Sequence, residues 1–287
     1  MAILVACWLP VACDSRTGTA EPVTAAEPAR RIISLSPHLT ELVYSAGAGE
    51  RLVGVVEYSD YPPAASSLPR VGDSFRLDFE AIVGLAPDLI LAWRSGTPAD
   101  VRDRLRVMGF RVVSLDASGL DDIGQQIRDI GELAGTSAIA RAAADAYSQR
   151  LGRLRAQYRD ADIVDVFYQV SAQPLFTISG RHVISEAMAV CKGRNVFEDI
   201  QGLSPAVSLE AVIVAEPDAI VAGHDALTSD GLAAQWAAWK SIPAVRSGSL
   251  FTIDADWMTR PTTRILDAIQ VLCTHLDRAR AGSADLS

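Results

Sequence analysis

Two glutamates stand at matching places in two nearly repeated segments, LDFEAIVGLAPDLILA (77–92) and VSLEAVIVAEPDAIVA (207–222). Glu80 and Glu210 each lead into an apolar-rich helical stretch, then Pro-Asp, then a short apolar run. A pair of surface carboxylates fixes register against a partner more than it supplies affinity. A partner with its own two-fold relation would offer two matching places. The alternative is two solvated glutamates near helix N-termini, where the helix dipole favours negative charge.

Other reactive side chains form weaker patterns. His38 and His182 lie just before or at the start of the first helix of each half. Two imidazoles can ligate a metal centre with open axial positions; the simpler role is local capping or hydrogen bonding. HExxH is absent, and no carboxylate at zinc-like spacing supports a metal-only site. Ser36 and His38 have no third member for nucleophilic catalysis. Asp60, Asp254 and Asp256 have nothing in the sequence that fixes a separation, which paired catalytic carboxylates require. The nucleophile elbow, the phosphate loop and the dinucleotide fingerprint are missing too. An enzyme is therefore not expected. Cys191 and Cys273 form no CxxC pair. In an oxidising compartment they would make one disulfide, tying the C-terminal helix to the second lobe. Otherwise they are buried free thiols.

The elements that must position these groups alternate. ARRIISLSP reads as a strand entering a turn, and TELVYSA as a short helix ended by Gly47. LVGVVEY, LILAW and RVVSLDA follow as strands, with helices over 77–85 and 101–108 between them. Nearly all-apolar strands alternating with helices predict a parallel sheet covered on both faces. From 120 to 158 the apolar residues recur at helical spacing, with Thr136 and Ser137 as a local break or new cap. Its longer part would cover about 30 Å at 1.5 Å per residue, a strut rather than a Gly/Ser-rich linker. The second half then restarts the order with IVDVFYQV, VISEAMAVC, NVF, AIVAG and SLFTID, and closes on a helix over 262–281. The expected architecture is α/β: two similar lobes with mostly parallel central sheets flanked by helices, joined by a long rigid α-helix. The expected boundaries are 30–119 and 161–287 for the lobes and 120–160 for the connection.

The chain has 287 residues and a net charge of -9, which argues against broad nucleic-acid binding. Residues 1–29 read differently from the rest. Apolar MAILVACWLPVAC is too short to span a bilayer. It resembles the end of an export signal without the basic n-region. Cys7 after LVA and Cys13 after PVA each resemble the lipid-attachment cysteine of an exported lipoprotein. The polar, proline-bearing stretch behind them would be a flexible tether. A disordered N-terminus on a cytoplasmic protein is the competing reading.

Several motifs together resemble a known family. They are RIISLSPHLTEL, YSDYPP at 58–63, LDFEAIVGLAPDLILAWR, PLFTISG, CKGRNVFED and DWMTRPTTRI. The chain resembles the cobalamin-binding proteins of ABC importers, the class with a helical backbone between two lobes. The resemblance implies a monomer in the periplasm or on the cell-envelope exterior, with no cofactor of its own. The transported ligand would be cobalamin or cobinamide. It implies that Glu80 and Glu210 dock against arginines on the two subunits of the permease dimer. It also implies a ligand cleft lined from the C-terminal ends of strands. Aromatics falling there are Tyr58, Tyr61, Phe75, Trp93, Phe176 and Trp257. Aromatic faces suit a wide corrin ring, and polar groups suit its amide rim. Arg260 would either contact an amide or hold its own loop. Two departures stand out: Phe75 replaces a common tryptophan, and GLSPAVSLE lacks an expected aromatic. A binding protein for haem, a siderophore or another metal chelate on the same fold is the alternative.

Overall fold

The computed structural model describes residues 27–73, 76–223 and 228–284. Cys7, Cys13 and Phe75 lie outside the described residues. The first half runs β1 (Ile32–Ser34), α1 (Pro37–Ser45), β2 (Leu52–Val55), α2 (Phe79–Leu85), β3 (Leu89–Trp93), α3 (Ala99–Val107) and β4 (Val112–Leu115). Two helices follow, α4 (Leu120–Ala134) and α5 (Ser137–Gln157). The second half begins with β5 (Val164–Gln169), the two short strands β6 (Ser171–Ala172) and β7 (Leu175–Phe176), α6 (Val183–Val190) and β8 (Gly193–Asn195). It continues with α7 (Leu209–Ala215), β9 (Ala219–Gly223), α8 (Ser229–Trp236), α9 (Pro243–Ser247), β10 (Leu250–Ile253), α10 (Ala255–Thr259) and α11 (Ile265–Ala284).

Each half carries a four-stranded parallel sheet, in the orders β2-β1-β3-β4 and β10-β9-β5-β8. Read from the other edge, the second order repeats the first: second strand, first, third, fourth. The duplication expected from the two glutamate segments is therefore a duplication of topology. The Pro-Asp in each segment has a clear task. The Asp88 carboxylate accepts from the backbone N–H groups of Arg30 and Arg31 at 2.8 and 3.0 Å, and Asp218 accepts from that of Asp165 at 3.0 Å. In each lobe this carboxylate anchors the chain where it enters the first strand.

Strand alternation divides the core. Ile32, Leu89 and Leu91 face one side of the first sheet, while Ile33, Ile90 and Ala92 face the other. The first side joins α1, α4, α5, α6 and α11 in one apolar core that runs through both halves. The opposite faces keep cores of their own, one around Ile82 and Leu105 and one around Phe167 and Trp236. The helical connection is thus packed into the shared core, as a strut must be.

The connection breaks at Gly135, whose φ of 65° is left-handed and suits glycine. The break falls one residue before the Thr136–Ser137 stop read from sequence. α4 and α5 pack antiparallel: the Tyr147 hydroxyl donates to the Leu120 carbonyl at 2.9 Å, and Arg155 pairs with Asp121 at 3.0 Å. The start of α4 is held from the other lobe. Glu186 on α6 accepts from the Leu120 N–H at 2.7 Å and pairs with Arg155 at 2.8 Å. A carboxylate at a helix N-terminus satisfies an orphan N–H and favours the dipole.

Cys191 and Cys273 form a disulfide with Cα atoms 4.9 Å apart, joining the end of α6 to α11 as expected. The two cysteines are 82 positions apart. A crosslink over a loop of that length restrains the unfolded chain by about 4 kcal/mol in the entropic picture. Reduction, or replacement of both cysteines by alanine, should lower the unfolding free energy by roughly that amount in urea titrations. An unchanged midpoint would show that the bond contributes nothing.

Burial also holds imidazoles neutral. His38, 4 % exposed, is pushed down to about 3, first by desolvation and then by the charge of Arg260. Burial lowers His182 and His275 as well. An unfolded histidine titrates near about 6.5. Below that pH the unfolded chain takes up protons that the folded chain refuses. Stability is therefore full above pH 6.5 and falls as pH drops toward 3, by about 1.4 kcal/mol per pH unit for one such site. His38→Gln should flatten this slope between pH 6.5 and 4.5 in denaturant titrations. Equal slopes in both proteins would remove His38 from the account.

Candidate functional site

The C-terminal ends of the two sheets meet through charge. Glu41 lies on α1, just beyond β1, and is 3 % exposed. Arg264 grips it from the other lobe, with Nε 2.9 Å from Oε2 and Nη2 on Oε1. Arg260 follows α10, beyond the end of β10. Its Nη1 donates to Asp60 at 2.7 Å and reaches Glu41 at 3.4 Å, and its Nη2 pairs with Asp256 at 2.7 Å. The Arg264 guanidinium also lies 4.0 Å above the Tyr61 ring. A carboxylate so buried is tolerable only when paired. Burial alone would raise the Asp60 carboxyl, but the Arg260 hydrogen bond and charge bring it below the ordinary carboxylate range. Both guanidiniums titrate above their usual value, because these carboxylates outweigh the desolvation that would lower them.

Of this cluster the sequence singled out Tyr61 and Arg260 as ligand contacts. Asp60, Asp254 and Asp256 read from sequence as carboxylates without a fixed separation, and Asp60 and Asp256 also stand in YSDYPP and DWMTRPTTRI. Arg260 fixes the separation of Asp60 and Asp256 by holding both. Glu41 and Arg264 stand in RIISLSPHLTEL and DWMTRPTTRI, with no role assigned to them from sequence. The available signal is two arginines four positions apart in DWMTRPTTRI.

Trp93 ends β3, and three neighbours fix its ring. The indole N–H donates to Asp116 at 2.9 Å, and the His38 ring meets it edge to face at 5.2 Å. Gly96 packs against the third side, where a Cβ would lie 1.7 Å from the ring. His38 in turn sits 2.6 Å from the Ser36 hydroxyl through Nδ1. His182 caps α6, with Nδ1 accepting from the Ile184 N–H at 3.2 Å. Each imidazole thus has a local partner at Nδ1, while Nε2 of His38 is buried without a hydrogen-bond partner. Among the described residues no group of three or more His, Cys, Asp or Glu side chains is placed to hold a metal ion.

The remaining aromatics differ in setting. Tyr58 is 76 % exposed and takes a φ of 63°. For a tyrosine this left-handed conformation costs on the order of 1 kcal/mol. Its neighbours hold it there: Arg70 donates to the Ser59 carbonyl at 3.1 Å, and Ser59 itself is buried. Phe176 is half-buried in β7, which pairs antiparallel with β6. Trp257 lies in α10, packed on the shared core. With Asp267, Gln270, Val271 and Thr274 it lines a cavity of about 350 Å3 along α11.

Glu80 and Glu210 are exposed on the first turns of α2 and α7. Each helix is capped the same way. Asp78 accepts from the Ala81 N–H at 2.9 Å, and Ser208 from that of Ala211 at 3.2 Å. Each also ends on a left-handed residue, Ala86 or Glu216, both with a φ of 44°. The two glutamates therefore occupy equivalent positions on equivalent helices. Hydrogen bonds from its own backbone N–H and from Ser208 hold Glu210 below the usual carboxylate range.

Comparisons with known proteins agree with this architecture. A vitamin B12-binding protein of Vibrio cholerae is 39 % identical over 254 residues, covering 88 % of this chain and 91 % of the relative. The crystal structure of the periplasmic vitamin B12 binding protein BtuF of Vibrio cholerae superposes with a TM-score of 0.82 at 39 % identity, over 88 % of this chain and 98 % of that one. A periplasmic haem-binding protein of Roseiflexus sp. RS-1 shares the fold alone, with a TM-score of 0.77 at 24 % identity over 87 % of this chain and 99 % of that one. Residues 32–257 match the periplasmic binding protein family, and the chain belongs to it.

Proposed function

We propose that this protein is the substrate-binding component of an ABC importer. It captures cobalamin or a related corrinoid between its lobes in the periplasm and delivers it to the membrane permease. The observation that carries this reading is the likeness, over nearly the whole chain, to relatives named for vitamin B12 binding. The protein is a carrier and catalyses no reaction.

The cleft chemistry supports the same ligand. Trp93, with its ring fixed on three sides, offers a rigid aromatic face that loses little freedom on binding. Tyr58 offers an exposed face held by a strained backbone. Tyr61, Phe75, Phe176 and Trp257 complete the aromatic set, and Arg260 supplies polar contact to the rim. A corrin ring edged with neutral amides matches apolar walls with few polar groups. Haem coordination through His182 has less support, since its Nδ1 is engaged by the α6 N-terminus. The protein acts as a monomer, tethered to lipid through Cys7 or Cys13.

Purified protein should bind one cobalamin by calorimetry. Trp93→Ala should weaken binding at least tenfold, about 1.4 kcal/mol, with thermal unfolding checked in parallel. Failure of the wild-type protein to bind either cobalamin or cobinamide at 10 µM or below, roughly -7 kcal/mol, would overturn the reading.

Glu80 and Glu210 carry the docking role, one carboxylate per lobe against the arginines of a two-fold permease dimer. Charge reversal of both, Glu80→Lys with Glu210→Lys, should leave ligand binding intact. It should lower stimulation of the importer's ATPase at least tenfold. Undiminished transport by the double variant would end the docking assignment.

A further inference from the structure

We infer that Glu41, Asp60 and Asp256 make the cleft selective against anionic chelates, by occupying the two guanidiniums that would otherwise receive a ligand carboxylate. This rests on the reading that the ligand lies between the lobes beside Arg260.

Arginine is the side chain best shaped to receive a carboxylate, through parallel N–H donors. Arg260 and Arg264 stand together between the lobes, so the site looks at first like an anion receptor. Several of its donors are already committed. Arg264 spends Nε and Nη2 on Glu41. Arg260 directs Nη1 to Asp60 and Glu41, and Nη2 to Asp256. Three carboxylates face two guanidiniums, so the cluster carries a formal net charge of -1. The nearest imidazole, His38, adds no positive charge, because burial keeps it neutral.

An incoming anionic rim meets this surplus at low local dielectric. To take the donors that hold Glu41 it must strand a carboxylate that is 3 % exposed, and at the other donors it meets three carboxylates close by. Stranding a buried charge is among the costliest changes a protein site can undergo. A rim of neutral amides meets no such penalty. Rejection of the wrong ligand by placed like charge is a recognised route to specificity. Asp60 is the member to test. Its side chain is 54 % exposed while that of Arg260 is 12 % exposed. It can be neutralised with Glu41 and Asp256 still holding Arg260 in place.

The experiment compares Asp60→Asn with the wild-type protein, using haemin and cobinamide as probes. The preference ratio, haemin affinity over cobinamide affinity, should rise at least tenfold in the variant. The rise should shrink at high salt, as charge interactions do. Haem dimethyl ester, which lacks the free carboxylates, should show no such gain. Asp60→Glu, which keeps the charge, should behave as the wild type. Asp256→Asn provides a second variant should Asp60→Asn unfold. An unchanged ratio would overturn the inference, and so would an equal gain for the ester. Loss of cobalamin and cobinamide binding by the wild type would instead count against the proposed function, and haemin against its ester would still read the charge cluster.

Discussion

The direction of the strands governs everything at the cleft. A parallel sheet delivers all its strand C-termini to one edge, and each sheet here is parallel throughout. The loops that leave those ends carry the functional side chains. β1 leads to Ser36, His38 and Glu41; β2 leads to Tyr58, Asp60 and Tyr61; β3 ends in Trp93; β10 leads to Asp256, Trp257 and Arg260. Because the topology is duplicated, the two edges are equivalent surfaces, and setting them opposite one another makes a cleft. The contacts of Arg260 and Arg264 with Glu41 and Asp60 show that these edges do face each other. Ligand sites at the carboxyl ends of α/β sheets follow the same rule.

That placement needs a fixed distance between the lobes, and the shared core supplies it. Apolar side chains of α4 and α5 pack with α1 of one lobe and with α6 and α11 of the other. Separating the lobes would expose part of this core at about 25 cal/mol per Å2 of apolar surface. Glu186 adds a polar pin at the same junction, since it caps α4 from within the second lobe. The disulfide then ties α6, which carries Glu186, to α11. One continuous line of contacts therefore joins the strut to both lobes.

Much of this was legible in the sequence, for a physical reason. Apolar alternation and helical spacing are local signals, and they gave the strands, the helices and the duplicated order. The capped helices that bear Glu80 and Glu210 follow from residues three apart. What stayed hidden was non-local. Arg264 meets Glu41 across 223 positions, and Arg260 meets Asp60 across 200. No periodicity encodes such pairs; the fold creates them. The same holds for Glu186, which reads as an ordinary helical glutamate until α4 is seen to start on it. The break at Gly135 was nearly legible, because Thr136 and Ser137 marked the place and glycine supplied the left-handed turn. His182 caps α6, the simpler of the two roles that its position before VISEAMAVC allows.

The aromatic walls alone leave one question of specificity open, and the ion cluster answers it. Corrin and porphyrin are both wide, flat, partly apolar macrocycles that carry a metal. On the proposed reading, a tryptophan face held by Asp116, His38 and Gly96 would attract either ring, because stacking and apolar burial respond to area and hardly to identity. Discrimination must come from where the two ligands differ most, and that is the rim. One rim bears neutral amides and the other bears carboxylates. A hydrophobic contact distinguishes close analogues weakly, whereas a misplaced charge costs far more. The residues that meet the rim are therefore the ones that decide. In the inference drawn above, these are arginines paired with three protein carboxylates. The balance of charge beside Arg260 is the feature that separates the two macrocycles.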